Sequence, residues 1–190
     1  MANLPDEIAA RFSDWHKRAI DCFAGVTEEA AAWRPDRGPQ SLLWQLWHVA
    51  RWDDRFAWII ADRAAGLRHN VPKHEIWLRD SVAANWGWPA DMQLGRGNAG
   101  TGLSREQNAA LVFPGIQPVV DYARAAFDHV ELAVASLDPA TMGEIPPRSK
   151  ENDTDSWATN ALMYLEHLPE HISVMEVSRS LQGLSPLPDG

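Results

Sequence analysis

The stretch SLLWQLWHVARWDDRFAWIIADRAAG, residues 41–66, decides the fold class of this chain. It contains no proline and its only glycine is the last residue, so nothing inside it interrupts a helix. Ser41 is a favourable N-cap residue because its hydroxyl oxygen can accept a hydrogen bond from a free backbone N–H group. Apolar side chains cover most of the circumference, which predicts a long helix at the centre of a bundle.

Three further segments show the spacing of amphipathic helices. They are residues 5–25, residues 118–137, and a segment that begins near 154–156 and ends by 183. In each of them apolar side chains recur every three or four positions, whereas no segment shows the alternation of a strand. We therefore predict an all-α four-helix bundle that forms a single domain over residues 1–190.

A long irregular insertion separates the second and third of these helices. Over residues 67–117 the helical periodicity is lost, and the segment holds three tryptophans and the glycine-rich stretch LGRGNAGTG at 94–102. A connection of about fifty residues is too long for a passive loop in a compact domain. We expect it to form either a lid or a small subdomain.

Composition limits the partners of the chain. It carries 26 acidic and 17 basic residues, for a formal charge of -9. Nucleic acids and anionic membranes bind clustered lysine and arginine, so both are excluded as main partners and a small-molecule substrate is favoured.

No apolar run approaches the ~20 residues needed to cross a bilayer, and no secretory signal is recognisable. The single cysteine, Cys22, is predicted to be a buried core thiol, and the expected location is the cytoplasm.

Histidines supply the main candidate site. His167 and His171 are four residues apart, so a helix projects both imidazoles to the same side, where zinc or nickel could bind. His48 lies in the middle of the central helix, and the residues alone leave open whether it is a core histidine or a third ligand. Pro169 stands between the paired histidines and predicts either a bend or a new helix start at that point.

The other histidines are weaker candidates. His16 and His129 are predicted to lie on solvated polar faces of their helices. His69 and His74 lie in the irregular insertion, from which His74 could approach the site if the insertion folds over it as a lid.

Two stretches carry a family resemblance. LLWQLWHVARWDDRFAW at 42–58 and EHLPEHISVMEVSRSLQGL at 166–184 resemble the second and fourth helices of the DinB-like (YfiT-like) metalloenzyme superfamily. In that family a tryptophan-rich helix carries one metal histidine, and a later helix carries two more separated by three residues. The stretches EIWLRDSVAANWGWP and LSREQNAALVF, on either side of a glycine-rich turn, also resemble an insertion found in many bacterial members.

The resemblance implies a ligand set and a cofactor. His48, His167 and His171 each match a ligand position, so they are the predicted ligands of a divalent ion such as zinc, nickel or iron. Pro169 departs from the pattern expected between the paired histidines. A homodimer is also implied by the family alone.

Three functional hypotheses follow from the resemblance. In the first, the metal activates a low-molecular-weight thiol for transfer to an electrophile, as in characterised relatives. The candidate cofactor-binding side chains are then Trp44, Arg51, Trp52 and Tyr164. Of the arginines, Arg51 or Arg55 is expected to meet a carboxylate of the thiol.

In the second hypothesis the metal activates water for hydrolysis. The candidate general bases of such a hydrolase are the acids closest in sequence to the predicted ligands, which are Asp53, Asp54, Glu166 and Glu170. The third hypothesis is a non-catalytic metal-binding or stress-response bundle.

Overall fold

Helices make up nearly all regular structure in the computed structural model, which describes residues 3–147, 154–185 and 187. In chain order they are α1 (Leu4–Asp21), α2 (Glu28–Ala32), α3 (Leu42–Arg63), α4 (Ile76–Arg79), α5 (Val82–Asn85), α6 (Arg105–Ala109), α7 (Ile116–Ser136) and α8 (Trp157–Leu181), with a 3-10 turn at Thr141–Gly143. The described residues contain no strand, only two isolated bridges. The predicted all-α fold is confirmed. Within these residues, no helix is both long and apolar enough to cross a membrane.

Helix α3 is the central element that its sequence predicts. Ser41 caps it, since its hydroxyl oxygen accepts a hydrogen bond from the backbone N–H of Trp44 at 3.2 Å. The first ten residues of the helix are all buried, as expected for a helix that is apolar on nearly every side. It ends at Arg63 rather than at residue 66, because Ala64 takes an extended backbone conformation.

The four long helices form the bundle. Helices α1 and α3 each pack against both α7 and α8, so α1 and α3 lie diagonally opposite each other. Fully buried side chains from all of the long helices fill the interior, among them Phe12, Trp47, Val130 and Leu168. The arrangement brings the His48 helix against the helix that carries the histidine pair.

The insertion between α3 and α7 packs against the bundle through aromatic rings. Trp88 lies 5.5 Å from Trp47 of α3 and 5.4 Å from Phe113, measured between ring centres. Trp77 adds contacts with Trp47 and with Trp86, at 6.1 Å and 5.3 Å. These side chains belong to the same apolar cluster as the bundle interior, so the insertion extends the core.

The structure corrects the prediction for two histidines. His16 and His129 are buried, with 3% and 6% of their surface exposed, and are not solvated. His16 stacks on Phe127 with 3.8 Å between ring centres, while the Nε2 atom of His129 donates a hydrogen bond to the Pro72 carbonyl at 3.1 Å. The prediction was wrong because helical spacing shows which face a residue occupies, but not which polar partner another element brings to it.

Candidate metal centre

Three histidines converge where α3 packs against α8. His48 comes from α3, and His167 and His171 come from successive turns of α8. One nitrogen from each ring lies within 4.8 Å of the others, and the Nε2 atoms of His48 and His167 are 3.2 Å apart. In a tetrahedral site with metal–nitrogen bonds of about 2.0–2.1 Å, neighbouring ligand nitrogens are about 3.3–3.4 Å apart. The observed spacing therefore fits a single ion.

Hydrogen bonds orient two of the three rings. The Nδ1 atom of His48 donates to the Ala99 carbonyl oxygen at 2.5 Å, and Nδ1 of His171 donates to the Gln45 side-chain oxygen at 2.5 Å. A neutral imidazole carries one N–H, so a donating Nδ1 leaves Nε2 with its lone pair free. Metal-binding histidines are commonly fixed in this way by a partner on the other ring nitrogen.

Burial keeps the three imidazoles neutral. It lowers the pKa of His48 to about 4, and it lowers the pKa of His171 to about 3 with help from the neighbouring His48 and His167. The pKa of His167 is also lowered by burial, although the charges of Asp53 and Glu170 act in the opposite direction. At neutral pH all three rings are therefore available as ligands, because a neutral imidazole is the form that binds a metal.

Trp44 packs directly against the cluster. Its indole stacks on the His48 ring with 4.6 Å between ring centres and an angle of 13° between the planes. Its Nε1–H donates to the Asn108 side-chain oxygen at 2.8 Å, which fixes the indole. The stack leaves the His48 ring little freedom to rotate.

A pocket of about 590 Å³ opens beside the three histidines. Three of the four predicted cofactor-binding side chains, Trp44, Trp52 and Tyr164, line it. The remaining lining residues include the acids Glu166 and Glu170 and four residues of the glycine-rich stretch: Arg96, Gly100, Thr101 and Gly102. The histidine cluster therefore faces a space large enough for a small molecule.

Arg51 does not line this pocket, which contradicts its predicted role. Its side chain is fully buried, and its guanidinium donates hydrogen bonds to Asp54 at 3.0 Å, Tyr122 at 3.1 Å and Glu75 at 2.7 Å. Arg55 is not among the lining residues either, and it donates a hydrogen bond to Glu75. Among the described residues, the arginine that lines the pocket is Arg96, which the sequence prediction missed because it lies in the irregular insertion.

The four candidate acids divide into two pairs. Asp53 and Asp54 are fully buried and are not among the residues that line the pocket. One oxygen of Asp53 contacts Nε2 of His16 at 3.1 Å, and Asp54 accepts hydrogen bonds from backbone N–H groups of the insertion. Glu166 and Glu170 line the pocket on α8. A general base at this site would therefore come from α8.

Pro169 does not divide α8. The helix is continuous from Trp157 to Leu181, so the alternative of a new helix start at Pro169 is wrong. Proline has no N–H group, so the Leu165 carbonyl lacks its usual amide donor one turn later. His167 and His171 still lie one helical turn apart, with 4.5 Å between their ring centres.

Two further residues of the centre were missed from the sequence. Gln45 precedes His48 by three positions on α3, and its side-chain oxygen accepts the hydrogen bond from His171. The available signal was a single polar residue among the apolar residues of the stretch 42–47. Ala99 acts through its backbone oxygen, which no residue type can indicate. The abundance of glycine around it was the signal, since glycine often marks a close approach of the backbone to another group. His74 is not part of the centre; its ring lies 6.1 Å from His129.

The donor set determines which ions fit. Three neutral imidazoles with an open side suit zinc, nickel or iron(II), whereas calcium and magnesium prefer oxygen ligands. The residues present therefore fit the kind of ion that the family resemblance implies. Among the residues that the structure describes, no other group of histidine, cysteine or acidic side chains has this geometry.

Comparisons with known proteins agree with this architecture. The crystal structure of a conserved protein from Enterococcus faecalis superposes with a TM-score of 0.76 at 15% sequence identity, over 95% of this chain and 98% of that one. At this identity the likeness concerns the fold alone. No curated protein matches the sequence. The model of the DinB superfamily matches residues 11–175, a range that includes all three histidines. This chain belongs to the DinB superfamily.

Proposed function

We propose that this protein binds a divalent metal ion through His48, His167 and His171 and transfers a low-molecular-weight thiol to an electrophilic substrate. One observation carries the proposal: three neutral imidazoles converge at a pocket, and hydrogen bonds through Nδ1 leave Nε2 of His48 and His171 free. Family membership supports metal binding, and the pocket supports a small-molecule substrate.

The chain lacks a nucleophilic thiol of its own at this site. Burial raises the pKa of Cys22 to about 12, and Cys22 is not among the residues that line the pocket. A bound divalent ion would supply the missing activation, because it stabilises the thiolate of an external thiol near neutral pH. Trp44 and Trp52 line the pocket and would provide apolar surface for the body of a substrate.

Arg96 takes the role that the sequence prediction assigned to Arg51. Its guanidinium lies at the pocket, 5.9 Å from the ring centre of Trp52, and its side chain is exposed. An arginine in this position can bind a carboxylate of the thiol through two parallel hydrogen bonds. Arg51 cannot do so because its donors are already bound inside the protein.

A metal-dependent hydrolase is the second candidate. Glu166 and Glu170 line the same pocket, and a carboxylate near a metal centre can act as general base toward water. The two candidates share the metal centre and differ in the nucleophile.

Metal binding is tested first. Chelator-treated protein is titrated separately with zinc, nickel and iron(II), and we expect one ion per chain. His48→Ala should weaken binding by more than the roughly 10- to 100-fold cost of losing a hydrogen-bond partner of a ligand. His69→Ala is the matched control, because His69 is exposed in the insertion and does not line the pocket. Wild-type protein that binds none of the ions contradicts the proposal.

The reaction is tested on metal-loaded protein. A chlorobimane electrophile is offered together with several low-molecular-weight thiols, and ester and amide substrates are offered in parallel. Metal-dependent conjugation that disappears in His48→Ala supports thiol transfer. Hydrolysis without conjugation, lost in Glu166→Gln or Glu170→Gln, supports the hydrolase instead, and absence of both reactions supports a non-catalytic bundle.

A further inference from the structure

The glycine loop, residues 94–102, lies directly on two tryptophans of α3. A Cβ atom at Gly97 would lie 2.9 Å from the Trp52 ring, and one at Gly100 would lie 2.7 Å from the Trp44 ring. Both glycines have positive φ angles, +69° and +83°, which other residues rarely adopt. The loop therefore approaches α3 as closely as a backbone can, and only glycine allows this approach.

The glycine loop is also closed on itself. The backbone N–H of Arg96 donates to the Thr101 carbonyl at 2.9 Å, and that of Gly100 donates to the Leu94 carbonyl at 2.7 Å. Trp52 adds a bond from its indole N–H to the Thr101 hydroxyl at 3.3 Å. These bonds tie the loop into one unit, which is attached to α3 by its contacts with the two tryptophans.

Arg51 holds the same loop from inside the protein. Its Nε atom donates to the Asn98 carbonyl at 3.1 Å, and Nη2 donates to the Gly97 carbonyl at 3.3 Å. The guanidinium is itself fixed by the buried carboxylates of Asp54 and Glu75, which leaves it no freedom to follow a displaced loop.

Ala99 lies between Asn98, which accepts a hydrogen bond from Arg51, and Gly100, which lies against Trp44, and it contacts the metal centre. Ala99 is fully buried, and its carbonyl oxygen accepts the hydrogen bond from Nδ1 of His48. A loop that moved off α3 would remove this acceptor. His48 would then lose the partner that keeps its proton on Nδ1 and its Nε2 lone pair directed at the cluster.

We infer that docking of the glycine loop on α3 and metal binding by the three histidines are thermodynamically linked. The loop acts as a positioning element for His48, and the insertion thereby controls the affinity of the centre. Linkage is reciprocal, so a bound ion holds the loop down as strongly as the docked loop favours the ion. The inference rests on the proposed metal binding but not on the proposed reaction.

The first test displaces the loop with one methyl group. Gly100→Ala places a Cβ against Trp44, whereas Gly102→Ala has the same kind of backbone strain, with φ at +82°, and meets no atom within 4 Å. Zinc affinity is measured by competition with a chromogenic chelator, and folding by far-UV circular dichroism. We expect Gly100→Ala to bind zinc roughly 10- to 100-fold more weakly than Gly102→Ala. Equal affinity in the two folded variants overturns the inference.

The reciprocal test uses only wild-type protein. Trypsin can cleave after Arg96 in the glycine loop and after Arg37 in the exposed connection between α2 and α3, and each is followed by glycine. We expect zinc to slow cleavage after Arg96 by several-fold while leaving cleavage after Arg37 unchanged. A metal that stabilises only the bundle as a whole would slow both sites equally, and this result would overturn the linkage.

The two tests separate this inference from the proposed function. The wild-type titration reports whether the three histidines bind zinc at all. If wild-type protein binds zinc and neither the variant pair nor the proteolysis shows a difference, the metal centre stands and the linkage is wrong. If wild-type protein binds no zinc, the proposed function fails, and the linkage fails with it.

Discussion

Two polar clusters on α3 lie three residues apart in sequence and differ in how their charges are balanced. In the Arg51 cluster, a fully buried guanidinium faces the carboxylates of Asp54 and Glu75. In the histidine cluster, His48 meets two imidazoles of α8, and no carboxylate among the described residues forms a hydrogen bond with its ring. The first cluster contains charged groups of both signs, whereas the second consists of neutral imidazoles.

This difference separates a structural cluster from a candidate binding site. All three guanidinium nitrogens of Arg51 donate hydrogen bonds to acceptors inside the protein, so the group requires no hydrogen bond from solvent. Nε2 atoms whose lone pairs converge repel each other until a proton or a cation lies between them. We therefore expect the Arg51 cluster to stabilise the fold without a metal, so that its mutation lowers stability. We expect mutation of the histidine cluster to lower metal affinity instead.

The largest expected effect comes from breaking the Arg51 cluster. Arg51→Met leaves two buried carboxylates without their cation, so we expect the free energy of unfolding to fall by about 3–5 kcal/mol. Urea denaturation of metal-free protein measures it. Arg55→Met is the control, since Arg55 is more than a third exposed and should change stability by less than about 1 kcal/mol. A loss from Arg51→Met no larger than that from Arg55→Met would contradict the comparison.

An intermediate effect comes from removing the Gln45 oxygen that holds His171. Gln45→Leu keeps the size and burial of the side chain but deletes the acceptor for Nδ1. We expect zinc affinity to fall roughly 10- to 100-fold, with little change in the stability of metal-free protein. Gln93→Leu, at an exposed position in the insertion, serves as control. Unchanged zinc affinity would show that the hydrogen bond does not position the ligand.

The smallest effect concerns a third cluster, in which His16 lies between Asp53 and Glu131. Burial alone lowers the pKa of His16, but hydrogen bonds to the two carboxylates outweigh it and raise the pKa above the usual value of 6.5. The folded state thus holds the proton more tightly than the unfolded state, so the stabilisation is complete below pH 6.5 and is lost as pH rises through the folded-state pKa.

Comparison of wild type with His16→Asn over the pH range measures this contribution. We expect the difference in the free energy of unfolding between wild type and variant to shrink as pH increases above 6.5. A difference that stays constant from pH 6 to 9 would show that His16 does not carry the predicted charge.

Much of the fold could be predicted from the sequence because helical spacing and caps are local. The predicted central helix at 41–66 corresponds to α3, and the order of the histidines on two helices matches the cluster that forms. Trp44 and Trp52 each lie one helical turn from His48 in the sequence, and all three residues line the same pocket.

The remaining features depend on which elements meet, and local sequence does not determine that. Arg51 shares a helix with His48, but its partner Glu75 comes from the insertion, and this contact turns it away from the pocket. His16 is polar in sequence and buried in the structure because α3 and α7 both present carboxylates to it. The Ala99 oxygen is a backbone atom whose role depends on where the glycine loop packs.

The burial of Cys22 has a practical consequence for following the glycine loop in solution. Thiol-directed labels react with thiolates, and a thiol with a pKa of about 12 is almost fully protonated at neutral pH. The native chain is therefore expected to stay unlabelled. A cysteine introduced at Gln93, next to the loop, would carry a spectroscopic probe alone, with no need to remove the natural cysteine. The fluorescence of an environment-sensitive label at that position would then report whether the loop is docked on α3.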